Sequence, residues 1–212
     1  MERQFLNLCR KGDLKGAKEF LKKCPYINVS VHDEAAFRYA CEKGYLEMAK
    51  WLQSVKPDIN ISADNNFAFR HACENGRLEF VKWLLSVKPD MNIYIWDFNW
   101  ACLNGHLEVA QLLLSVKPDI DISYDNNCVF RSTCRKANCK YLKIAKWLQT
   151  LKPWLYVIEY DINGNYAGYK IRSKEEANWE KRKYALHLAS QKETNILYHL
   201  PVDIAKTVTL FV

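Results

Sequence analysis

The chain has few glycines and no long apolar or basic run, and these absences exclude several classes of protein. Only seven of the 212 residues are glycine and nearly half are apolar, which excludes a disordered chain. No stretch approaches the roughly 18–20 apolar residues that a membrane helix needs. Residues 1–7 form no apolar signal segment, so we expect a cytoplasmic or nuclear protein that does not enter a membrane.

The positive charge is modest for a chain of this length. The formal net charge is +7, and no long lysine or arginine run exists. A protein that binds DNA or RNA through its phosphates usually concentrates such residues in a patch or stripe. The sequence therefore argues against nucleic acid as the partner, and a basic nucleic-acid-binding protein is kept as the alternative from another functional class.

Catalytic and metal-binding motifs are also missing. There is no serine or cysteine nucleophile motif, no phosphate-binding glycine loop and no histidine or cysteine spacing typical of zinc. We predict that the chain is not an enzyme and that it uses no cofactor and no metal.

What the sequence does contain is a block of about thirty residues that recurs. The clearest copy runs from Ala68 to Asp90, and an earlier one runs from Ala36 to Asp58. A glycine recurs near the middle of the copies and a proline recurs at their ends. The glycines are Gly12, Gly44, Gly76 and Gly105, and the prolines are Pro25, Pro57, Pro89, Pro118 and Pro153. A fixed period in this range predicts a stacked array of small units.

Each copy contains two short segments with helical apolar spacing. In the clearest copy, Phe69, Ala72 and Cys73 lie on one side of the first segment, and a second stripe starts at Leu78. Glycine tolerates the left-handed conformation that ends a helix, and proline stops the second segment. The predicted unit is helix, tight turn, helix and projecting loop, which buries its apolar stripes only by stacking on its neighbours.

Five of the eight cysteines occupy one equivalent position per copy: Cys9, Cys41, Cys73, Cys102 and Cys134. A free thiol on a packed helix face behaves as a small apolar group. Equivalent positions of neighbouring helices lie roughly 10 Å apart, which is too far for a disulfide. We therefore predict buried, unpaired thiols.

The motifs resemble the ankyrin repeat family. The segment from Gly105 to Leu114 matches the family's G-H-x-E-V-V-x-L-L-L block, and Asp58-Ile59-Asn60 matches its D-V-N. Ala-Phe-Arg-x-Ala-Cys replaces the family's T-P-L-H-x-A-A, and Lys-Pro replaces Gly-Ala. This variant, with tryptophan in the second helix, is similar to ankyrin proteins of large DNA viruses of amoebae. The resemblance implies an all-α solenoid that binds a protein. If the chain is viral, it implies that the partner is a host protein in the host cytoplasm or nucleus.

The resemblance also sets the predicted domain boundaries. Residues 1–153 form five ankyrin-type repeats, at about 1–28, 29–60, 61–92, 93–121 and 122–154. Residues 154–212 form a divergent C-terminal repeat with a β-hairpin near 155–171, because aromatic and β-branched runs flank Asn163-Gly164. Ser173 is the predicted N-cap of the next helix, and Pro201 begins a last, capping helix.

The last segment has two readings. Leu200, Pro201, Ile204 and Val208 resemble the opening of an F-box, and poxvirus-type ankyrin proteins carry truncated F-box-like segments that dock ubiquitin-ligase machinery. On that reading the chain is a viral adaptor that recruits a ubiquitin ligase. On the other, the helix covers the open end of the stack.

Residues that differ between copies indicate the partner surface. In the family, the first helices and the loops line a concave face. Tyr39, His71 and Trp100 occupy one equivalent position, and Tyr94, Trp96 and Tyr124 lie on or near the loops. The connection before Trp100 is three residues shorter than its equivalents. Tyr94, Trp96 and Trp100 therefore either form an exposed aromatic cluster, of the kind that dominates binding hot spots, or fill the space left by the deletion.

Three arginines, Arg38, Arg70 and Arg131, repeat at one position. They either line a groove for an acidic partner or donate to backbone carbonyls that tie the copies together, for which a guanidinium has five N–H donors. Both readings are carried forward, and the three arginines join the candidate partner-binding residues.

Overall fold

A computed structural model describes residues 1–136 and 138–190, without the side chains of Asp33 and residues 186–190. The chain divides into two compact units, Met1–Ile120 and Asp121–Val212, called here the first unit and the second unit. The helix predicted from Val202 and the F-box-like residues lie outside the described residues.

The first unit consists of four helix pairs. The helices are α1 (Glu2–Lys11), α2 (Leu14–Lys23), α3 (Val31–Lys43), α4 (Leu46–Val55), α5 (Ala63–Glu74), α6 (Leu78–Val87), α7 (Ile95–Leu103) and α8 (Leu107–Val116). The first helices of successive pairs pack side by side, α1 on α3, α3 on α5 and α5 on α7. This is the stacked arrangement that the repeat predicted.

The turn inside each pair depends on glycine. Gly44 ends α3 in the left-handed conformation, with φ of 77°. Its backbone N–H donates to the carbonyl of Cys41, and the next N–H, of Tyr45, donates to the carbonyl of Ala40. These two bonds satisfy carbonyls that the end of a helix leaves unpaired. The chain can therefore reverse within three residues and begin α4.

One phenylalanine per pair forms the centre of the core. Phe5, Phe37, Phe69 and Phe98 in the first unit have no exposed surface. Their neighbours include the tryptophans of later second helices, since the ring centroids of Phe37 and Trp83 are 6.2 Å apart. The five repeated cysteines are also fully buried, as predicted.

The lysine of each Lys-Pro pair ties the end of a second helix to the start of the first helix of the same pair. Lys88 Nζ donates to Ser62 Oγ at 2.8 Å, and Lys56 makes the same bond to Ser30. Both lysines are half-buried. This bond explains why lysine recurs before the prolines. From the sequence, the Lys-Pro pair was visible only as a replacement of the family's Gly-Ala.

A short left-handed turn lies at the start of most of the first helices, within the first residues of the helix. In α5, Asp64, Asn65 and Asn66 have φ of 53°, 54° and 60°. Aspartate and asparagine enter this region more readily than other residues with a Cβ. The backbone N–H of Asn66 donates to the carbonyl of Ser62 at 3.1 Å, which closes the turn. The repeated Asp and Asn residues therefore shape the backbone.

This turn makes a testable prediction at Asn65, whose side chain is exposed. Asn65→Val should lower the free energy of unfolding by about 1–2 kcal/mol, because a β-branched residue is strained at positive φ. Asn65→Gly should leave it within about 0.5 kcal/mol of the wild type, because glycine has no such strain. Urea denaturation of both variants measures the difference. Equal losses from valine and glycine would contradict the left-handed conformation.

In its described residues, the second unit contains one helix pair, a hairpin and a further helix. These are α9 (Tyr124–Lys136), α10 (Cys139–Leu151), β1 (Tyr156–Tyr160), β2 (Tyr166–Ile171) and α11 (Lys174–Ser190). The strands are antiparallel, with Tyr156 opposite Ile171 and Ile158 opposite Tyr169. Helix pairs plus a hairpin confirm the predicted fold class.

Tyr156 joins the hairpin to α9. Its ring stacks on Phe130 with centroids 4.1 Å apart and an interplanar angle of 13°. Its hydroxyl donates to Asn127 Oδ1 at 2.9 Å. Burial raises the pKa of Tyr156 to about 12, so the hydroxyl keeps its proton at neutral pH. The hairpin therefore packs on the helix pair and is part of the core of this unit.

The N-terminus of α11 confirms Ser173 as the N-cap. The backbone N–H of Glu176 donates to Ser173 Oγ at 3.2 Å, and the backbone N–H of Ser173 donates to Glu176 Oε2 at 2.8 Å. This reciprocal capping box satisfies two N–H groups at the helix end. Together with the bond from Lys170, it lowers the pKa of Glu176 to about 2.

Candidate partner-binding surface

The three positions that differ between copies lie on adjacent helices. Tyr39 is on α3, His71 on α5 and Trp100 on α7, and these helices pack in that order. Tyr39 and His71 are half-buried, whereas Trp100 is 50% exposed. Of these three equivalent positions, the one on α7 is therefore the most exposed to solvent.

The aromatic residues at the start of α7 are exposed. Tyr94 is 47% exposed and Trp96 is 51% exposed. Trp96 and Trp100 are four residues apart, so they lie on the same side of the helix. The buried side chains of Phe98, Ala101 and Cys102 lie on the opposite side. We call Tyr94, Trp96 and Trp100 the α7 aromatic surface.

The three-residue deletion explains why these rings are exposed. The residues missing before α7 correspond to the left-handed turn Asp64–Asn66 of α5. Without that turn, α7 begins directly after Tyr94, whose backbone N–H donates to Asp97 Oδ2 at 2.8 Å. Lys117 Nζ donates to the carbonyl of Ile93 at 2.9 Å, because no serine is available to it at this place. The connection before α7 is therefore shorter, and Tyr94, Trp96 and Trp100 stay exposed instead of packing into the core.

Asp97 is the buried carboxyl behind this surface, and the sequence analysis did not identify it. It is 1% exposed, and its Oδ1 has no hydrogen-bond partner. Burial raises the pKa of Asp97 to about 6, against the bond from Tyr94 and the charges of Arg70 and Lys117, which favour the carboxylate. The start of α7 therefore depends on a carboxyl that titrates near neutral pH.

Two of the three repeated arginines, Arg38 and Arg70, donate to backbone carbonyls of their own copy rather than of a neighbouring copy. Arg38 donates to the carbonyl of His32 at 3.1 Å, and Arg70 donates to that of Asp64 at 3.0 Å, in each case six residues earlier. Arg38 also reaches the next pair, where it bonds to Asp64 Oδ2 at 2.8 Å. These bonds fix the left-handed turns and, for Arg38, join two copies.

Around His71 the surface is aromatic and cationic. The rings of Phe67 and His71 are 4.1 Å apart, and the guanidinium of Arg38 lies 5.5 Å from the centre of the Phe67 ring. Arg10 lies 5.7 Å from the Tyr39 ring in the same way. Planar groups are therefore placed by contacts within the first unit along α1, α3 and α5.

The nine candidate partner-binding residues are divided between the two units. Seven belong to the first unit: Arg38, Tyr39, Arg70, His71, Tyr94, Trp96 and Trp100. Tyr124, at the start of α9, is 42% exposed, and Arg131 is half-buried on the same helix. Arg131 contributes to a pocket of the second unit that the sequence analysis missed. The sequence does show a difference in charge between the two parts of the chain, but that difference does not single out the residues of the pocket.

The described residues hold no group of three or more histidine, cysteine, aspartate or glutamate side chains placed to bind a metal ion. In the same part of the chain, no helix combines the length and apolarity needed to cross a bilayer. Burial raises the pKa of the Cys9 and Cys134 thiols to about 12, so neither is a thiolate at neutral pH. These thiols serve packing.

Comparison with known proteins gives one family. Residues 5–95 match the family model of ankyrin repeats in three copies. No curated protein matches the chain significantly. The chain is thus a mostly helical ankyrin-repeat stack with a two-stranded hairpin and a further helix. Ankyrin repeats imply a protein–protein interaction module and are typically not catalytic.

Proposed function

We propose that this chain is a non-catalytic protein-binding module whose main contact is the α7 aromatic surface. The observation that carries the proposal is the exposure of Trp96 and Trp100 on one side of a helix whose other side is buried. Large rings supply much apolar contact area and lose little conformational freedom on binding. The neighbouring His71 and Arg70 give this contact a polar edge.

The mechanism is rigid presentation. At the start of α7, the bond from the Tyr94 N–H to Asp97 and the bond from Lys117 to the carbonyl of Ile93 fix the backbone. The surface therefore loses little conformational entropy when a partner binds. A surface that is already ordered binds more tightly than a flexible one with the same contacts. No step of this mechanism requires a reacting group.

The proposal predicts the behaviour of a double variant. Trp96→Ala with Trp100→Ala should weaken partner binding at least thirtyfold, because the loss of even one hot-spot tryptophan costs about 2 kcal/mol. The variant should remain folded, because both rings are half-exposed. The measurement is quantitative mass spectrometry of proteins captured by the immobilised full chain.

The matched control is Trp179→Ala, which removes a tryptophan that is 60% exposed on α11 of the second unit. It should leave the captured set unchanged. An unchanged captured set for the double variant would refute the role of the α7 aromatic surface. A lysate of amoebae is the source that the resemblance to viral ankyrin proteins favours.

Two finer proposals rest on that resemblance alone. One is that the partner is a host protein bound by a viral chain. The other is that the helix predicted from Pro201, with its F-box-like residues, recruits a ubiquitin ligase. Neither changes the role proposed for α7.

A further inference from the structure

The second unit carries most of the net positive charge. Residues 1–120 contain 16 lysines and arginines and 15 aspartates and glutamates, so their net charge is nearly zero. Residues 121–212 contain 15 basic and 9 acidic residues. An imbalance confined to one part of a chain indicates an anionic partner for that part.

Five of these cations line one cavity of about 620 Å³. They are Arg131, Lys152, Arg172, Lys174 and Lys181, and we call the cavity the cationic pocket. Three asparagines, 126, 127 and 178, add amide groups to its wall. Among the described residues that line it, none is acidic. Arg131 lies on α9, Lys152 follows α10, Arg172 follows β2, and Lys174 and Lys181 lie on α11, so folding brings the five cations together.

Contacts within the second unit hold several of these cations in place. Arg172 Nη1 donates to the carbonyls of Pro153 and Trp154 at 2.9 and 3.1 Å. Lys152 Nζ donates to Ser123 Oγ at 2.7 Å. Lys181 Nζ lies 5.7 Å from the centre of the Trp154 ring, which is 6% exposed. A site whose cations are already positioned loses less entropy when an anion binds.

Two carboxylates that lie close to lining residues, Asp121 and Glu176, neutralise the pocket only in part. Asp121 lies 3.8 Å from Lys152, but its side chain is 64% exposed, so solvent screens this pair strongly. Glu176 in the first turn of α11 is bound to Lys170 at 2.8 Å and to the N–H of Ser173. The lining therefore retains an excess of positive charge.

We propose that the cationic pocket binds an acidic peptide segment of a protein, through carboxylate or phosphoserine oxygens. Arginine and lysine form charge-assisted hydrogen bonds to such oxyanions, and asparagine amides add neutral donors. The site is independent of the α7 aromatic surface, because all of its residues belong to the second unit.

The lining favours a peptide over nucleic acid. Proteins that bind single strands combine a basic groove with exposed aromatic rings on which bases stack. The only aromatic ring in the described lining is Trp154, which is buried. The pocket offers charge and amides but no stacking platform.

The test uses the full chain and three probes of equal length: a hexaglutamate peptide, a peptide with three phosphoserines and a thymidine hexanucleotide. Isothermal titration at low salt should show binding of at least one of the two peptides, and that peptide should bind more tightly than the oligonucleotide. The preferred peptide identifies whether carboxylate or phosphate is the better ligand. No binding of either peptide, or tighter binding of the oligonucleotide, would overturn the proposal.

A pair of charge-matched variants separates the pocket from general electrostatic attraction. Lys174→Gln with Lys181→Gln should weaken peptide binding at least tenfold. Lys136→Gln with Lys140→Gln removes the same charge from exposed residues beside Tyr141, outside the pocket, and should change binding less than twofold. Equal weakening by the two pairs would refute a defined site. Both variants must show the thermal midpoint of the wild type, and Arg131→Gln provides a second pocket variant if the first does not.

Discussion

Replacing Phe69 by alanine should lower the free energy of unfolding by about 3–5 kcal/mol, because a fully buried ring leaves both lost contacts and a cavity. Phe69 has no exposed surface and is one of the repeated core phenylalanines of the first unit. In a stacked array, each copy is stabilised by the interfaces with its neighbours. Damage to α5 therefore weakens the contacts with both α3 and α7.

Phe67→Ala is the matched control, since it removes the same ring from the same helix. Phe67 is half-buried and packs on His71 at the surface, so its loss should cost roughly 1 kcal/mol. Urea denaturation followed by circular dichroism, with hydrogen exchange to separate the two units, measures both variants. Equal losses would contradict the assignment of Phe69 to the core and Phe67 to the surface.

The second large effect is a pH dependence at Asp97. The pKa of Asp97 in the folded chain is about 6, above its ordinary value of 3.8. Well below pH 3.8 the carboxyl is protonated in the folded and unfolded states alike. As the pH rises from 4 to above 6, the unfolded chain releases the proton more readily, so the folded state loses stability.

Asp97→Asn removes this titration and keeps an oxygen that accepts from the Tyr94 N–H. Relative to the wild type, the variant should gain about 2–3 kcal/mol in the free energy of unfolding between pH 4 and pH 7, because one pKa unit corresponds to about 1.4 kcal/mol. The measurement is urea denaturation at several pH values. Asp90→Asn, at an exposed aspartate before α7, controls for the change in net charge. A difference between wild type and Asp97→Asn that stays constant with pH would contradict the buried, shifted carboxyl.

Much of the fold could be predicted from residues that end helices or form turns. Glycines such as Gly44 and the repeated Lys-Pro pairs mark the helix ends, and Asn163-Gly164 marks the hairpin. These signals act locally, so they are readable without knowing what the segment packs against. The buried cysteines followed for a similar reason, since a position that repeats on one helix face has the same neighbours in each copy.

The exposure of Trp96 and Trp100 did not follow from the sequence. A three-residue deletion removes residues either from the core or from the loop, and the amino-acid sequence alone does not show which of the two is shortened. The answer depends on the left-handed turn at Asp64–Asn66, which the asparagines indicated only as a turn. Once that turn is known to be the part that is missing, the start of α7 follows.

The cationic pocket could not be predicted because its residues are distant in the chain. Arg131 and Lys181 are fifty residues apart, and only the packing of the hairpin on α9 and of α11 on Trp154 brings them to one wall. Asp97 was missed for a related reason. A carboxylate in the first turn of a helix is usually exposed, whereas the side chain of Asp97 is 1% exposed.

The most direct test of the account is photo-crosslinking from the α7 aromatic surface. A photoreactive phenylalanine placed at position 100 should crosslink the captured partner, because this position faces outward within the proposed contact. The same residue at position 111, exposed on α8 of the same pair, should give no adduct with that partner. Equal adducts from positions 100 and 111, or adducts from position 111 alone, would contradict the claim that the first helices form the binding surface.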